Sequence, residues 1–360
     1  MTGTMTWAAM DVHARSTYAA SMDVVSGELS RRRFDTGAVA PVVAWLAELP
    51  GPVRACYEAG PTGFGLYRAA VAAGIDCQVI APSKTPRPSG DRHKSDRRDT
   101  DLLLRQLMAG ALTAVAVPSV SLEAARDLAR AREQVRVDLM RCRHRLSKLL
   151  LRHGRVWDRS TWTKAHREWL GSHTFEHQNT ELAFIDNLAA CDGLTARKTA
   201  LDERLSHVVT DPEFWPVVAR LRAFRGIDTL SALILTLEIA DFTRFQRAVQ
   251  LGSWLGLVPS REQSGETDRH GSITKTGSKY ARRILVEASW HYARPPRIGK
   301  TLYERQEGLP DHVLQIARRA QARLYRVHKR MRERRKPGNV ITVACARELA
   351  CFLWAAATAP

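Results

Sequence analysis

Apolar runs of strand length, separated by turn residues, open the chain. Residues 6–12 and 16–25 are two such runs, and a turn at Ser26-Gly27 separates the second from residues 28–36. Together they predict a meander of three strands. Helices and strands then alternate, with Pro and Gly marking several of their ends. They are predicted at 38–49 (helix), 53–60 (strand), 61–74 (helix), 77–82 (strand) and 96–110 (helix).

The order of these elements, β-β-β-α-β-α-β-α, indicates the fold class. Three strands before the first helix are not the order of a doubly wound nucleotide-binding domain. They are the order of the RNase H and RuvC-like nuclease fold. We therefore predict an α/β domain of the RNase H/RuvC-like class over residues 1–118.

A long charged helix follows between Ser121 and His153, and its apolar positions form a heptad stripe. Arg132 fills one position of the stripe, and the others are Ala125, Leu128, Val135, Leu139, Cys142, Leu146 and Leu149. A second helical stretch covers about 180–209. Such helices can pair within one chain as a hairpin or join two subunits as a coiled coil, and both interpretations stay open. We predict a helical, coiled-coil segment over residues 119–212.

Helices also dominate the rest of the chain, which we predict to be a mainly α-helical domain over residues 213–360. Residues 217–245 are predicted to form a helix, a Gly-containing turn and a second helix, an arrangement that often presents backbone amides to phosphate and as often serves packing. Between later helices, the polar and glycine-punctuated stretch 261–277, REQSGETDRHGSITKTG, is predicted to be a loop. The later helices are predicted at 247–259, 278–294 and 311–338.

The charge of the chain indicates the kind of partner. Its 360 residues include 55 Lys and Arg against 37 Asp and Glu, which gives a net charge of +18 and a pI near 10.2. A polyanion is the expected partner, and an anionic membrane surface is the weaker alternative. From Arg318 to Lys336, ten of nineteen residues are Lys or Arg and only Glu333 opposes them. So steep a bias favours contact with phosphates over a merely solvated face.

We expect a cytoplasmic protein without a membrane partner. Asp11 and His13 stand where the apolar core of a secretory signal would be. The apolar stretch 339–359 contains Arg347 and Glu348, so a buried helix is expected there rather than a membrane span. Six scattered cysteines without zinc spacing are typical of free thiols in a reducing compartment.

Four acids of the predicted α/β domain stand where a metal centre would need them. Asp11 ends the first strand, Glu58 ends the fourth strand, and these strands are neighbours in this fold. Asp96 and Asp99 share one face at the start of a helix. Oxygen ligands suit Mg²⁺ or Mn²⁺, and two such ions can clamp both reacting oxygens of a phosphodiester exchange. Each acid also has a structural interpretation, such as a helix cap or a surface charge, and Asp101 could replace Asp99.

With these acids in place, the chain resembles the transposases of the insertion-sequence 110 family over nearly its whole length. These are DEDD recombinases of bacterial mobile elements. The acids lie in the stretches AAMDVHARS, CYEAGPTGFGLY and HKSDRRDTDLLLRQL, and the second half is similar in LRAFRGIDTLSALILTLEI and FQRAVQLGSWLGLVPSREQSGETDRHGSITKTGSKYARRIL. The chain departs from the family at Thr100, where Ala is usual, and at the turn RGID, where Arg225 and Asp228 replace Pro and Gly.

The resemblance implies an active site built from two domains. Asp11, Glu58, Asp96 and Asp99 would be the metal-binding acids, and Ser264 would be a nucleophile that bonds to a DNA 5′-phosphate. The two domains would come from different subunits of a homo-oligomer, a dimer or a tetramer. A structured noncoding RNA, the bridge RNA, would pair with donor and target DNA and so choose the sites. The active protein would be associated with the bacterial nucleoid.

Basic residues near Ser264 and on the last basic helix are candidates for contact with nucleic acid. They are Lys94, Arg269, Lys275, Arg282, Arg283, Arg326, Lys329, Arg330 and Arg334. His270 could also offset phosphate charge. From the residues alone, Ser260, Ser272 and Ser278 compete with Ser264 for the role of nucleophile.

Two other functions stay open on the sequence. A RuvC-like nuclease or Holliday-junction resolvase would use the same four acids with water as the nucleophile, and it would have no use for Ser264. A DNA- or RNA-binding protein with a decayed nuclease fold would not be an enzyme, although the presence of all four acids argues against it.

Overall fold

A computed structural model of the chain describes residues 5–86, 95–265 and 267–360. The chain divides into two compact units, Met1–Pro118 and Ser119–Pro360. The first unit is a mixed α/β domain, and the second is mainly helical. The further division of the second unit into a helical segment and a C-terminal domain, at about residue 212, stays a prediction.

Five strands form one mixed sheet in the first unit. Their order across the sheet is β3-β2-β1-β4-β5, in which the β3-β2 and β2-β1 pairs are antiparallel and the β1-β4 and β4-β5 pairs are parallel. A meander followed by parallel strands confirms the predicted α/β domain. The strands are β1 (Thr6–Val12), β2 (Thr17–Asp23), β3 (Leu29–Phe34), β4 (Val53–Glu58) and β5 (Asp76–Ile80).

Helices pack on both faces of this sheet. One face carries α1 (Ala40–Glu48) and α2 (Gly65–Ala72), and the other carries α3 (Asp96–Met108). Because side chains alternate along a strand, Ala9 and Cys56 face α3 while their neighbours face the other helices. The acids of β1 and β4 that follow them by two residues therefore lie on the α3 side.

Helices of very different lengths build the second unit. The 3₁₀ helix at Trp290–Ala293 follows α10 directly, and the core joins the start of α4 to most of the later helices. The helices are α4 (Val120–Arg152), α5 (Lys164–Gly171), α6 (Gln178–Val209), α7 (Trp215–Leu221), α8 (Thr229–Ile239), α9 (Ala248–Trp254), α10 (Lys279–Ser289), α11 (Lys300–Gln306), α12 (Asp311–Glu333) and α13 (Gly338–Ala357).

The long helices α4 and α6 pair with each other as an antiparallel hairpin. Arg132 donates to Asp202 at 2.7 Å, and the sulfur of Cys142 lies 3.1 Å from that of Cys191, so rising numbers in α4 meet falling numbers in α6. The predicted stripe is the buried seam of α4, although Leu128 is only partly buried. The chain therefore shows the intramolecular hairpin, and a coiled coil between subunits stays a prediction.

Residues 261–277 are not the predicted loop. Most of them belong to a two-stranded antiparallel sheet of β6 (Pro259–Ser264) and β7 (Thr267–Ile273), in which Ser264 pairs with Thr267. Every residue of β6 is exposed. The interpretation as a loop was wrong because β6 buries no apolar face, so no hydrophobic alternation reveals it.

The last helix, α13, is long and apolar enough to cross a membrane by length and composition alone. A core helix meets the same criteria, and α13 buries one side in the core of the second unit. Ile341, Cys345, Leu349 and Leu353 follow one another at four-residue spacing on that buried side. The structure agrees with the buried helix predicted at 339–359.

Candidate active site

Two acids of the first unit meet at the ends of neighbouring parallel strands. The register of β1 and β4 places Met10 opposite Tyr57. Asp11 and Glu58 each follow this pair by one residue. Because parallel strands that end together place such side chains next to each other, the sheet itself brings these two carboxylates to one edge.

The other two acids lie on the first turn of α3. Ser95 is the N-cap, and its hydroxyl accepts a hydrogen bond from the Arg98 amide at 3.4 Å. The interpretation of Asp96 as the helix cap is therefore wrong. Thr100 is fully buried and donates to the backbone oxygen of Asp96 at 2.7 Å, while Asp99 lies on the same turn as Asp96. The buried Thr100 thus holds the first turn of α3 by a hydrogen bond to its backbone, and the two acids of this turn line the cleft.

All four predicted acids line one cleft, with a volume of about 100 Å³, together with His13 and Thr85. The Nε2 atom of His13 lies 3.2 Å from Oδ2 of Asp11 and 3.8 Å from Oδ1 of Asp96. One ligand atom from each of these three residues falls within 4.8 Å of the others. Three ligand atoms at this spacing can bind one metal ion.

Burial and mutual repulsion disfavour the negative charge of the carboxylates in the cleft. Burial raises the pKa of the Asp11 carboxyl, His13 counteracts that rise, and the charges of Asp96 and Asp99 add to it. A bound divalent cation would offset both the burial and the repulsion. The donor set therefore fits a hard divalent ion such as Mg²⁺ or Mn²⁺.

Asp101, the alternative to Asp99, has a different role. Its carboxylate accepts two hydrogen bonds from the guanidinium of Arg31 on β3, at 2.9 and 3.0 Å. Such bidentate pairs are strong and fix orientation. This pair joins α3 to the antiparallel edge of the sheet, and Asp101 does not line the acidic cleft.

His13 lines the cleft, although the sequence analysis did not select it as a site residue. Its backbone amide donates to the backbone oxygen of Ser16 at 2.8 Å, which extends the pairing of β1 and β2 by one residue. The backbone thus stays extended from Asp11 to His13, and alternate residues of an extended chain share one side. An Asp-x-His pair at a strand end was the signal that could have identified it.

Ser264 is exposed at the end of β6, directly before the turn of the hairpin. Gly265 follows with a φ of 55°, a left-handed conformation that favours glycine, and open space surrounds the position where a Cβ would be. Apart from the two chain neighbours of Gly265, the described residues therefore leave room for a phosphate at this position. Of the competing serines, Ser278 caps α10 by accepting from the Ala281 amide at 3.2 Å.

Close backbone contacts fix the base of the hairpin. Gly256 and Gly277 have φ values of 65° and 66°. A Cβ on Gly256 would collide with the backbone of Thr276, and a Cβ on Gly277 would collide with the backbone oxygen of Trp254. The amide of Lys275 also donates to the Gly256 oxygen at 3.1 Å. These contacts set the direction in which the hairpin leaves the end of α9.

Two of the predicted basic contacts near Ser264 are exposed. Arg269 lies on β7 opposite Glu262, and Lys275 follows β7 in a left-handed conformation with a φ of 56°. Lys94 and the side chain of His270 lie outside the part of the chain that the structure describes. Their contacts with nucleic acid stay predictions.

The paired arginines at the start of α10 are engaged within the chain. Arg282 donates to the backbone oxygens of Leu255 and Thr276 at 2.8 and 2.6 Å. Arg283 donates to the buried carboxylate of Glu133 at 2.9 Å. Both side chains therefore have a structural role, and any contact of theirs with nucleic acid stays a prediction.

The basic side of α12 faces solvent. Val313 and Val327 belong to its buried side, whereas Arg323 forms an exposed bidentate pair with Glu348 at 2.8 and 3.1 Å. Across the described ranges, no acid pairs with the predicted contact residues of this helix. They are Arg326, Lys329, Arg330 and, at its C-cap, Arg334, and all four are exposed. An exposed row of cations is the electrostatic footprint of a polyanion partner.

The turn RGID is arranged for packing. Asp228 is the N-cap of α8, and its carboxylate accepts from the Ser231 amide at 2.7 Å. An acid therefore occupies the position that an anion would take at this helix end. Gly226 has a φ of 83° and lies against the backbone of Ala288. The replacement of glycine by Asp228 thus disfavours a phosphate contact through these amides.

The mixed sheet and its acidic cleft are consistent with a DEDD nuclease-like domain. Residues 8–154 match a DEDD profile of IS110 elements described as "Transposase". Residues 218–304 match the profile "Transposase IS116/IS110/IS902 family". The first match spans all four acids, and the second spans Ser264.

Similar proteins carry the same description. The chain is 41% identical over 309 residues to the putative transposase y4qE of Sinorhizobium fredii, which covers 84% of this chain and 74% of that protein. It is 31% identical over 337 residues to the transposase for insertion sequence element IS1533 of Leptospira borgpetersenii, with 91% and 96% covered. The chain therefore belongs to the IS110 family of transposases. Membership implies a divalent metal at the DEDD site and DNA as a partner.

Proposed function

We propose that this transposase cuts and rejoins donor and target DNA through a divalent metal centre at Asp11, Glu58, Asp96 and Asp99 and a covalent bond to Ser264. The observation that carries the proposal is the presence of all four carboxylates in one cleft of the DEDD domain. Any one of these acids alone could be a surface charge or a charge at a helix start. Gathered in one cleft, their charges cost free energy that bound cations would offset.

The contribution of the chain to the metal chemistry is to hold the four carboxylates in position. The parallel ends of β1 and β4 position Asp11 and Glu58, and the capped first turn of α3 positions Asp96 and Asp99. These carboxylates would hold Mg²⁺ or Mn²⁺. When bound, such ions stabilise charge on the reacting phosphate and make a nearby hydroxyl more acidic.

Ser264 would attack the DNA with its Oγ atom. A bond from Oγ to phosphorus forms, the bond from phosphorus to the 3′ oxygen breaks, and the proton that the serine loses is balanced by the proton that the 3′ oxygen gains. The phosphodiester energy stays in the protein–DNA ester, so the 3′-hydroxyl of another strand can reverse the step and rejoin DNA. Attack by water would discard that energy and would make the protein a nuclease.

We also propose a bridge-type noncoding RNA as a partner, with the protein acting as a homo-oligomer on the nucleoid in the bacterial cytoplasm. The charge distribution supports a large polyanion. Thirteen of the 55 Lys and Arg residues and eleven of the 37 Asp and Glu residues lie before residue 119, so the first unit has a net charge of +2 and the second +16. The exposed cations of α12 lie in this second unit.

Recombination of donor and target DNA by the full chain, with RNA transcribed from the DNA that flanks its gene, tests the proposal. Ser264→Ala should abolish both recombination and the covalent protein–DNA adduct while circular dichroism and RNA binding stay unchanged. Ser260→Ala and Ser272→Ala are matched controls on the same hairpin and should keep both activities. Recombination by Ser264→Ala, or an adduct on another serine, would contradict the assignment. Cleavage by the wild type without an adduct would support the nuclease instead.

A further inference from the structure

We infer that His13 is a direct ligand of the metal centre, so that the centre combines carboxylate oxygens with one imidazole nitrogen and prefers Mn²⁺ to Mg²⁺. This inference rests on the proposed function, because it concerns the same cleft. It adds a ligand outside the four DEDD acids and a choice of metal. The observation that supports it is the position of one imidazole among the carboxylates.

The distances around His13 fit a shared ion. Six ligands at about 2.1 Å from a metal stand about 3.0 Å apart when adjacent and about 4.2 Å apart when opposite. The Nε2 atom of His13 lies 3.2 Å from Oδ2 of Asp11 and 3.8 Å from Oδ1 of Asp96. Small rotations of the three side chains would therefore bring all three atoms onto one ion. No backbone movement is required.

The backbone holds His13 in place for this role. The hydrogen bond from its backbone amide to the backbone oxygen of Ser16 continues the β1–β2 ladder by one residue. His13 is therefore not at a frayed strand end. The imidazole itself is not used in the core, since about half of the side chain (52%) is exposed. An exposed histidine that lies beside the carboxylates of Asp11 and Asp96 is placed to bind a ligand in the cleft.

The nitrogen ligand determines the choice of metal. Mg²⁺ binds through oxygen ligands and retains much of its water. First-row divalent metals accept imidazole nitrogen as well as carboxylate oxygen. A centre with one imidazole therefore gains a bond with Mn²⁺ that it does not gain with Mg²⁺, whereas a centre with carboxylates alone would discriminate less.

Mn²⁺ binding to the full chain tests the inference directly, with Mn²⁺ alone as the probe. Electron spin-echo spectra of bound Mn²⁺ should show coupling to a ¹⁴N nucleus, and His13→Gln should remove that coupling. His207→Gln, a change of an exposed histidine on α6, should leave it in place. Circular dichroism and thermal melting verify that each variant folds.

Competition between Mn²⁺ and Mg²⁺ provides a second measurement. His13→Gln should weaken Mn²⁺ binding by at least about tenfold, because even the loss of a residue that only orients a metal ligand typically costs that much. The effect on Mg²⁺ binding should be smaller. His13→Asp should restore binding but lower the ratio of Mn²⁺ to Mg²⁺ affinity, because it returns an oxygen ligand. An unchanged ratio in both variants, or nitrogen coupling that survives His13→Gln, would overturn the inference.

The outcomes separate this inference from the proposed function. If Asp11→Asn abolishes Mn²⁺ binding while His13→Gln leaves affinity and spectrum unchanged, the DEDD centre stands and the role of His13 is wrong. If the wild-type chain binds neither ion at millimolar concentration, both fail.

Discussion

At the scale of single residues, the ionised carboxylate of Asp11 lowers the stability of the metal-free chain. Its pKa is raised from the ordinary value of 3.8, first of all by burial. The folded chain therefore holds this proton more tightly than the unfolded chain does. As the pH rises from 3.8 through the raised value, ionisation of Asp11 removes stability from the folded state, and near neutral pH the metal-free carboxylate is a net cost.

Asp11→Asn should therefore stabilise the metal-free chain while it abolishes recombination. The amide keeps the shape of the carboxylate without its charge, and a gain of up to about 2 kcal/mol in the free energy of unfolding is typical when a strained functional site is relieved. Thermal melting in EDTA at neutral pH measures the gain. It should shrink at a pH below 3.8, where Asp11 is protonated in both states. A variant that is less stable than the wild type in EDTA would contradict this account of the cleft.

At the scale of elements, the β6–β7 hairpin depends on its glycine base. Gly256→Ala and Gly277→Ala combine a left-handed backbone with a collision against backbone atoms, and each should cost about 1–3 kcal/mol. Because a displacement of about 1 Å can cost about a hundredfold in rate, recombination should fall by more than the loss of folded protein explains. Urea unfolding and a recombination assay measure the two effects.

Gly193→Ala is the matched control for the hairpin variants. Gly193 is an exposed residue in the interior of α6. Among the described residues, no atom beyond its chain neighbours and the backbone of its own helix lies within 4 Å of the position of its Cβ. Alanine should stabilise that helix by roughly 0.5–1 kcal/mol and leave recombination unchanged. Full activity in both hairpin variants would show that the placement of β6 and β7 does not matter for the reaction.

The helix α12 is the element on which salt-dependent binding should depend. Replacement of Arg326, Lys329, Arg330 and Arg334 by Gln should flatten the plot of log affinity against log salt concentration, by about 0.7–0.9 for each phosphate that the helix no longer neutralises. Titration of the RNA transcribed from the flanking DNA, at several salt concentrations, gives the slope.

The control for α12 removes the same charge elsewhere. Gln replacements of Arg15, Arg32, Arg33 and Lys84, all exposed in the first unit, should change the slope much less, because that unit has a net charge of only +2. Equal effects of the two quadruple variants would show that total charge, rather than α12, controls binding.

At the scale of the whole molecule, the residues of the proposed reaction are divided between two compact units. The four acids belong to Met1–Pro118, and Ser264 belongs to Ser119–Pro360. The proposed reaction needs both sets of groups at one phosphodiester. It therefore requires an assembled state, and this would restrain cleavage of DNA by the isolated protein.

A mixture of two inactive variants tests whether different subunits contribute the acids and the serine. If they do, Ser264→Ala and Asp11→Asn proteins should together recover part of the recombination activity that neither has alone. Some mixed oligomers would then contain one site with intact acids and an intact serine. A mixture that stays inactive, although each variant forms oligomers with the wild type, would place both sets of groups in the same subunit.

The sequence by itself determined what local patterns encode. The order of strands and helices predicted the sheet, since each element carries its own apolar period. The heptad stripe predicted the buried seam of α4, and position at a strand end or a helix start selected Asp11, Glu58, Asp96 and Asp99. Composition was enough to predict the basic surface of α12.

Only the tertiary structure decided features that depend on distant partners. It showed that α4 pairs with α6 of its own chain, because a stripe does not specify which helix covers it. It placed His13 among the acids of the cleft, since one extra ladder bond sets its direction. It revealed that Arg282 and Asp228 serve the backbone of neighbouring elements. The hairpin that carries Ser264 escaped prediction because exposed strands bury nothing, and local sequence therefore leaves little trace of them.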